Sequence, residues 1–118
     1  MEEITKENNQ VLKKEKYINI YGKVYEVNTT IEPDGDDSEI TKTFYFIKPK
    51  TQSFSRYIKK VSTDAHEAAT VLLLDNIIGE QQDELKEFID EYPGAALSMH
   101  ETLLRMLGLA KSVNFKKL

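Results

Sequence analysis

The feature that most constrains this chain is a change of periodicity at Lys48-Pro49. Before it, Phe44-Tyr45-Phe46-Ile47 is a strand-like run; after it, the apolar stretches as far as Met106-Leu107-Gly108 recur at helical spacing. Proline has no amide donor and biases its predecessor away from helix, so neither kind of element runs through the step. The order of elements predicts an α+β architecture: an N-terminal antiparallel β-hairpin packed on a C-terminal bundle of about four short helices.

The hairpin is read from residue types. Tyr17, Ile18, Ile20, Tyr21, Val24, Tyr25, Val27 and Ile31 are the aromatic and β-branched residues that strands favour. Gly22 among them suggests a bulge or a break. Pro33-Asp34-Gly35-Asp36-Asp37-Ser38 is a turn cluster, and Ile40 to Ile47 is the return strand. A two-stranded hairpin is marginal in water, so one of its faces must pack on the helices that follow.

Beyond Pro49, Thr51 or Ser53 can cap a helix carrying Phe54, Tyr57, Ile58 and Val61 at i, i+3, i+4 and i+7. Ser62-Thr63-Asp64 caps a second helix running to about Ile78, its second half apolar nearly all round, with Gly79 as its stop. A third, about Gln81 to Tyr92, turns Leu85, Phe88, Ile89 and Tyr92 to one side, and Pro93 interrupts it. A fourth, from about Gly94 or Ala95 to Leu107, places Ala96, Met99, Leu103, Met106 and Leu107 inward and stops at Gly108. The expected organisation is a flexible or helical arm over 1–16 and a single domain over 17–118. Within that domain the hairpin spans about 17–48, the helices about 51–108 and a polar tail 109–118.

A chain of 118 residues suits one domain. The apolar fraction of 40% and charged fraction of 31% are those of a soluble globular protein. Cysteine is absent, which removes disulfides, thiol nucleophiles and cysteine-based zinc sites together. No secretory signal follows the acidic start, and Val71-Leu72-Leu73-Leu74 is far short of a membrane span, so a cytoplasmic protein without membrane attachment is expected. The net charge of −4 argues against nucleic-acid binding. Charge is nevertheless segregated: residues 41–63 hold six cations and no side-chain acid, and residues 75–91 hold seven acids against Lys86. Such patches are either solvated helix faces or complementary surfaces of two copies.

Reactive chemistry is not visible. His66 and His100 are followed four residues later by Thr70 and Leu104, not by a second ligand, and read as surface or capping histidines. Ser53 and Ser98 lack the glycines of a nucleophile elbow. The five glycines are too scattered to cradle a phosphate. Asp34, Asp36 and Asp37 lack the rest of a calcium loop. The aromatic residues interleaved with Lys42, Lys48, Lys50, Arg56, Lys59 and Lys60 sit at core spacing, so packing explains them before base stacking does. No enzyme activity, metal or cofactor is expected.

Taken in order, the motifs resemble a family. Thr43-Phe44-Tyr45-Phe46-Ile47-Lys48-Pro49 leads to Phe54-Ser55-Arg56-Tyr57-Ile58. An Ala/Leu-rich helix with Asp75-Asn76 follows, then Glu91-Tyr92-Pro93-Gly94-Ala95-Ala96 and Leu103-Leu104-Arg105-Met106-Leu107-Gly108. From about Val24 to Leu118 this resembles the tail assembly chaperones of tailed bacteriophages and prophages. The resemblance implies a homo-oligomerising protein of the bacterial host cytoplasm that binds the tape-measure protein, and possibly the major tail protein, during tail-tube assembly. The alternative is a structural tail-completion or connector subunit of the particle. A groove for such a partner is expected where apolar residues gather at the end of the bundle: Phe88, Tyr92, Leu107, Leu109 and Phe115. The competing expectation is that Leu109 and Phe115 fold back to complete the core.

Overall fold

A computed structural model describes the backbone of residues 2–36 and 38–118, and the side chains from Asn9 onward apart from Asp37. Asp37, one of the acids of the turn cluster, and the side chains of residues 1–8 lie outside the described residues. Helix α1 (Glu2–Tyr21) precedes a hairpin of β1 (Val24–Ile31) and β2 (Ile40–Ile47). Helices α2 (Thr51–Val61), α3 (Ala65–Asn76), α4 (Gln82–Glu91) and α5 (Pro93–Met106) follow, with one turn of 3₁₀ helix at Gly79–Gln81. The fold is α+β, as the change of periodicity at Lys48-Pro49 predicts.

The strands pair antiparallel with Val27 opposite Phe44 and Tyr25 opposite Phe46. Alternation along a strand sends these residues to one face. That face carries Phe44 and Phe46, both fully buried against Leu72 and Leu73 of α3, Leu85, Phe88 and Ile89 of α4, and Met99 and Leu103 of α5. The opposite face is polar, with Thr43 donating to Asn28 (2.6 Å) and Thr30 bonded to Thr41 (3.0 Å). The last turns of α1 cover part of it: Tyr17 is buried against Tyr45, ring centroids 5.1 Å apart. The hairpin is thus buried on one face by the helices, as its marginal stability alone requires, and only partly covered on the other, where Glu26, Asn28, Thr30 and Thr41 remain exposed.

The N-terminal boundaries differ from the sequence expectation. Residues 17–21 are the end of a helix, not the start of a strand, and the hairpin begins at Val24 rather than near Tyr17. The β-branched and aromatic composition misleads because Tyr17 and Tyr21, one helical turn apart, are used as anchors. Tyr17 packs on Tyr45, and the Tyr21 hydroxyl accepts the Gly79 N–H at 3.1 Å. Gly22 is neither a bulge nor a mid-strand break but the cap of α1, at φ 81° with its N–H donating to the Ile18 carbonyl (2.8 Å).

The helix over residues 65–78 ends earlier than expected, at Asn76. Ile77 and Ile78 are extended, and they dock on the free edge of β2. Ile77 bridges Phe46 in antiparallel fashion, and the Ile78 N–H donates to the Tyr45 carbonyl at 3.0 Å. Gln81 continues the ladder with its side chain: Oε1 accepts the Tyr45 N–H (2.7 Å) and Nε2 donates to the Thr43 carbonyl (3.0 Å). Gly79 does not take the left-handed conformation of a helix stop; it opens the 3₁₀ turn. The remaining stops are as expected. Asp64 caps α3 by accepting the Glu67 N–H at 3.0 Å, Pro93 is the first residue of α5, and Gly108 follows α5 at φ 95°. Neither Thr51 nor Ser53 caps α2, which begins after Lys50 with no side-chain cap. Among the described residues no helix is long and apolar enough to cross a membrane.

Two consequences are measurable. Gln81→Ala removes both side-chain bonds to a part-buried strand edge, and urea unfolding is expected to show a loss of about 1–3 kcal/mol. The docking of α1 should depend on acid. Lys14 lies 3.1 Å from Glu26 and Lys16 lies 3.0 Å from Glu80. These lysines, as hydrogen-bond donors, hold both carboxyls below the usual carboxylate range. The two groups are more acidic folded than unfolded. Their contribution is complete above the unfolded Glu value of about 4.3 and fades as pH falls through the lower folded values. Protection of the α1 amides, measured relative to their intrinsic exchange rates at each pH, should therefore fall on acidification before that of α3 and α5. A Lys14→Ala/Lys16→Ala variant should show this loss of protection in α1 already at neutral pH.

Candidate functional site

Helix α2 lies at the margin of the core with its apolar side only partly covered. Its stripe of Phe54, Tyr57, Ile58 and Val61 forms as the spacing predicts, yet none of the four is fully buried and Ile58 is 51% exposed. The only buried residue of α2 is Ser53. Ser53 accepts from Asn76 Nδ2 (3.0 Å) and donates to Asp75 (3.4 Å), while Arg56 pairs with Asp75 at 2.8 Å and Lys60 with Glu67 at 3.3 Å. The Tyr57 hydroxyl lies 3.2 Å from Nε2 of His100, whose Nδ1 is 2.6 Å from the Leu97 carbonyl. A seam of polar contacts therefore attaches α2 to α3 and α5. This orients the helix with its apolar stripe along the margin of the core.

Where that stripe meets the end of α5, a groove of about 550 Å³ opens. Its walls come from the strand exit Lys48-Pro49-Lys50, from Phe54 at the start of α2, and from Leu104, Leu107 and Leu109 around the end of α5. The groove exists because both walls stop there: Pro49 ends the strand, and Gly108 at positive φ turns the chain off α5. The floor is apolar and the rim basic, with Lys48 and Lys50 exposed and in no ion pair among the described residues.

A second cleft, about 280 Å³, lies between the start of β2 and α4. Ile40 and Lys42 form one wall, and Glu84, Glu87, Phe88, Glu91 and Tyr92 form the other. Its carboxylates outnumber its single cation.

The five residues expected to form one groove are split between these places. Phe88 belongs to the core, 5% exposed, with its ring centroid 5.8 Å from that of Phe44 and 5.6 Å from that of Tyr92. Phe88 and Tyr92 border the second cleft, while Leu107 and Leu109 line the first. Tyr92 and Leu107 flank opposite ends of α5, a helix of 14 residues and hence about 21 Å long, so they cannot share a groove. Phe115 lies in the tail, 98% exposed, and Leu109 is 61% exposed, so neither folds back to complete the core. Phe54, Pro49 and Leu104, missed as site residues, complete the first groove; the signal for Phe54 was the stripe of α2, read as core, and that for Pro49 the strand-to-helix step it marks.

The charged segments are partly consumed internally, since Arg56 and Lys60 of the basic run are paired. Phe44 and Phe46 are fully buried and present no stacking face. His66 is exposed in the first turn of α3, whereas His100, expected at the surface or as a cap, is buried and bridges α5 to Tyr57. Among the described residues no three His, Asp or Glu side chains converge as a metal-ligand set.

A small α+β domain with several surface clefts and an exposed tail is the class defined by this geometry. The chain belongs to the family described as domain of unknown function DUF6848, which matches residues 13–116. It is similar to the solved structure of the uncharacterised protein rbstp2171 from Bacillus stearothermophilus, with a TM-score of 0.75 and 26% identity over 87% of this chain and 99% of that one. No curated protein matches it.

The split between core and tail aromatics has a direct test. Phe115→Ala is expected to leave the melting temperature of the dilute, monomeric chain unchanged, because the ring touches solvent in place of protein. Phe88→Ala should cost about 3–5 kcal/mol through the cavity left beside Phe44.

Proposed function

We propose that this chain is a non-catalytic binding module of the tail assembly chaperone type. It takes an amphipathic helix of the tape-measure protein into the groove between Pro49, Phe54, Leu104, Leu107 and Leu109. The observation that carries this reading is that groove itself: a depression of about 550 Å³ with an apolar floor that includes Phe54 of α2, bordered by Lys48 and Lys50, which enter no ion pair among the described residues. Its volume falls in the ~300–1,000 Å³ range of well-formed binding clefts. Helix-in-groove recognition needs a long apolar depression with a polar margin, and Lys48 and Lys50 favour a partner helix flanked by acids.

The resemblance in motif order supplies the identity of the partner; the physical reason is the same exposed apolar surface on both sides. A long amphipathic chain aggregates before assembly unless something covers its apolar face. The proposed setting is the bacterial host cytoplasm, with the major tail protein as a second partner in tube assembly and no cofactor involved.

Co-expression with the tape-measure protein should raise its soluble fraction and let the two chains co-purify. Leu109→Asp combined with Lys48→Glu and Lys50→Glu should abolish capture while leaving the melting temperature near that of the parent, since all three side chains are exposed. Unchanged solubility together with no co-purification would sink this reading. Stoichiometric presence in purified particles by mass spectrometry would instead favour the tail-completion or connector subunit.

A further inference from the structure

The tail and the second cleft are complementary surfaces. Val113, Phe115 and Leu118 are 82%, 98% and 109% exposed, the most exposed large apolar side chains among the described residues. Lys111, Lys116 and Lys117 stand among them, and no acidic side chain occurs from Leu109 to Leu118. The nearby groove does not suit this tail, because its rim is formed by Lys48 and Lys50. The cleft between β2 and α4 does suit it. Ile40, Phe88 and Tyr92 supply apolar atoms there, and Glu84, Glu87 and Glu91 face them with only Lys42 in opposition. None of the three glutamates enters an ion pair among the described residues.

The tail does not occupy the cleft of its own molecule: Val113 and Phe115 are 82% and 98% exposed, and that cleft is lined by Ile40, Phe88 and Tyr92 without them. The cleft is therefore open to the tail of another copy.

We propose that the tail of one copy docks across the acidic cleft between β2 and α4 of a second copy. Val113 and Phe115 pack on Ile40 and Tyr92, and the lysines face Glu84, Glu87 and Glu91. The contact is head-to-tail: a molecule that donates its tail keeps its own cleft free, so association continues past the dimer unless the geometry closes a ring. The inference does not depend on the groove reading and needs no partner protein.

Sedimentation velocity of the full chain from low to high micromolar concentration tests it. The average mass should rise with concentration beyond that of a dimer and fall with added salt, because the paired charges are solvent-exposed. A chain ending at Gly108 should remain monomeric. Phe115→Ser should weaken association about tenfold or more, as expected of a central aromatic anchor. Glu84→Lys/Glu87→Lys/Glu91→Lys should abolish association, and combining it with Lys111→Glu/Lys116→Glu/Lys117→Glu should restore it. The tail variants touch no core residue, so loss of folding does not confound them. A monomeric parent at every concentration, association that survives removal of the tail, or failure of the folded charge-swapped protein to associate would each overturn the proposal. Success or failure here leaves capture of a tape-measure helix to be decided by the co-expression experiment.

Discussion

The fold depends on how the second edge of β2 is satisfied. A two-stranded sheet leaves a row of amide and carbonyl groups open on each outer edge, which costs stability and invites aggregation. Here the segment between α3 and α4 supplies the missing partner through Ile77, Ile78 and the Gln81 side chain. That junction joins the hairpin to the bundle by hydrogen bonds, while Phe44 and Phe46 join them by burial. It also reaches the N-terminal helix, because Gly79 donates to Tyr21 and Glu80 pairs with Lys16. Three parts of the chain that are distant in sequence thus meet at one short segment.

The same economy leaves the other side of the molecule open. Helix α2 has a strongly amphipathic sequence, yet the interactions that fix it to α3 and α5 are those of Ser53, Arg56, Tyr57 and Lys60, polar groups with specific partners. Polar contacts set orientation while contributing less burial than an apolar interface would. The apolar stripe is then left for the margin, where it continues into the groove at the end of α5. This partly covered stripe and its basic rim are the surface on which the proposed partner binding rests. The acidic cleft at the opposite end of α5 gives the molecule a second surface of contrasting charge.

Much of this architecture is legible in the residues. The helical stretches from Thr51 to Gly108 follow from apolar spacing, from the Asp64 cap, and from Pro93 and Gly108 as punctuation. Each is a local rule whose effect tertiary contacts reinforce. The errors fall where composition and position disagree. Tyr17 to Tyr21 are strand-type residues held in a helix, because two tyrosines one turn apart reach Tyr45 and Gly79. Ile77 and Ile78 continue an apolar helix in sequence but leave it in space, because β2 has an edge to be filled. The site suffered from the same blindness: spacing marks Phe54, Leu107 and Phe88 alike as apolar, without saying which faces a neighbour and which faces solvent.

By itself, the sequence determined the order of the elements, the change from strand to helix at Lys48-Pro49 and most of the core. These depend on periodicity, proline and glycine, whose effects act within a few residues. Only the tertiary structure decided which apolar residues were left over. The five residues expected to gather in one groove lie at opposite ends of α5 or free in the tail, and the stripe of α2 sits at the margin of the core, with Tyr57 packed on it and Ile58 exposed. Burial is a property of the neighbours a side chain meets across the fold, so it is settled by packing between distant segments and not by spacing within one.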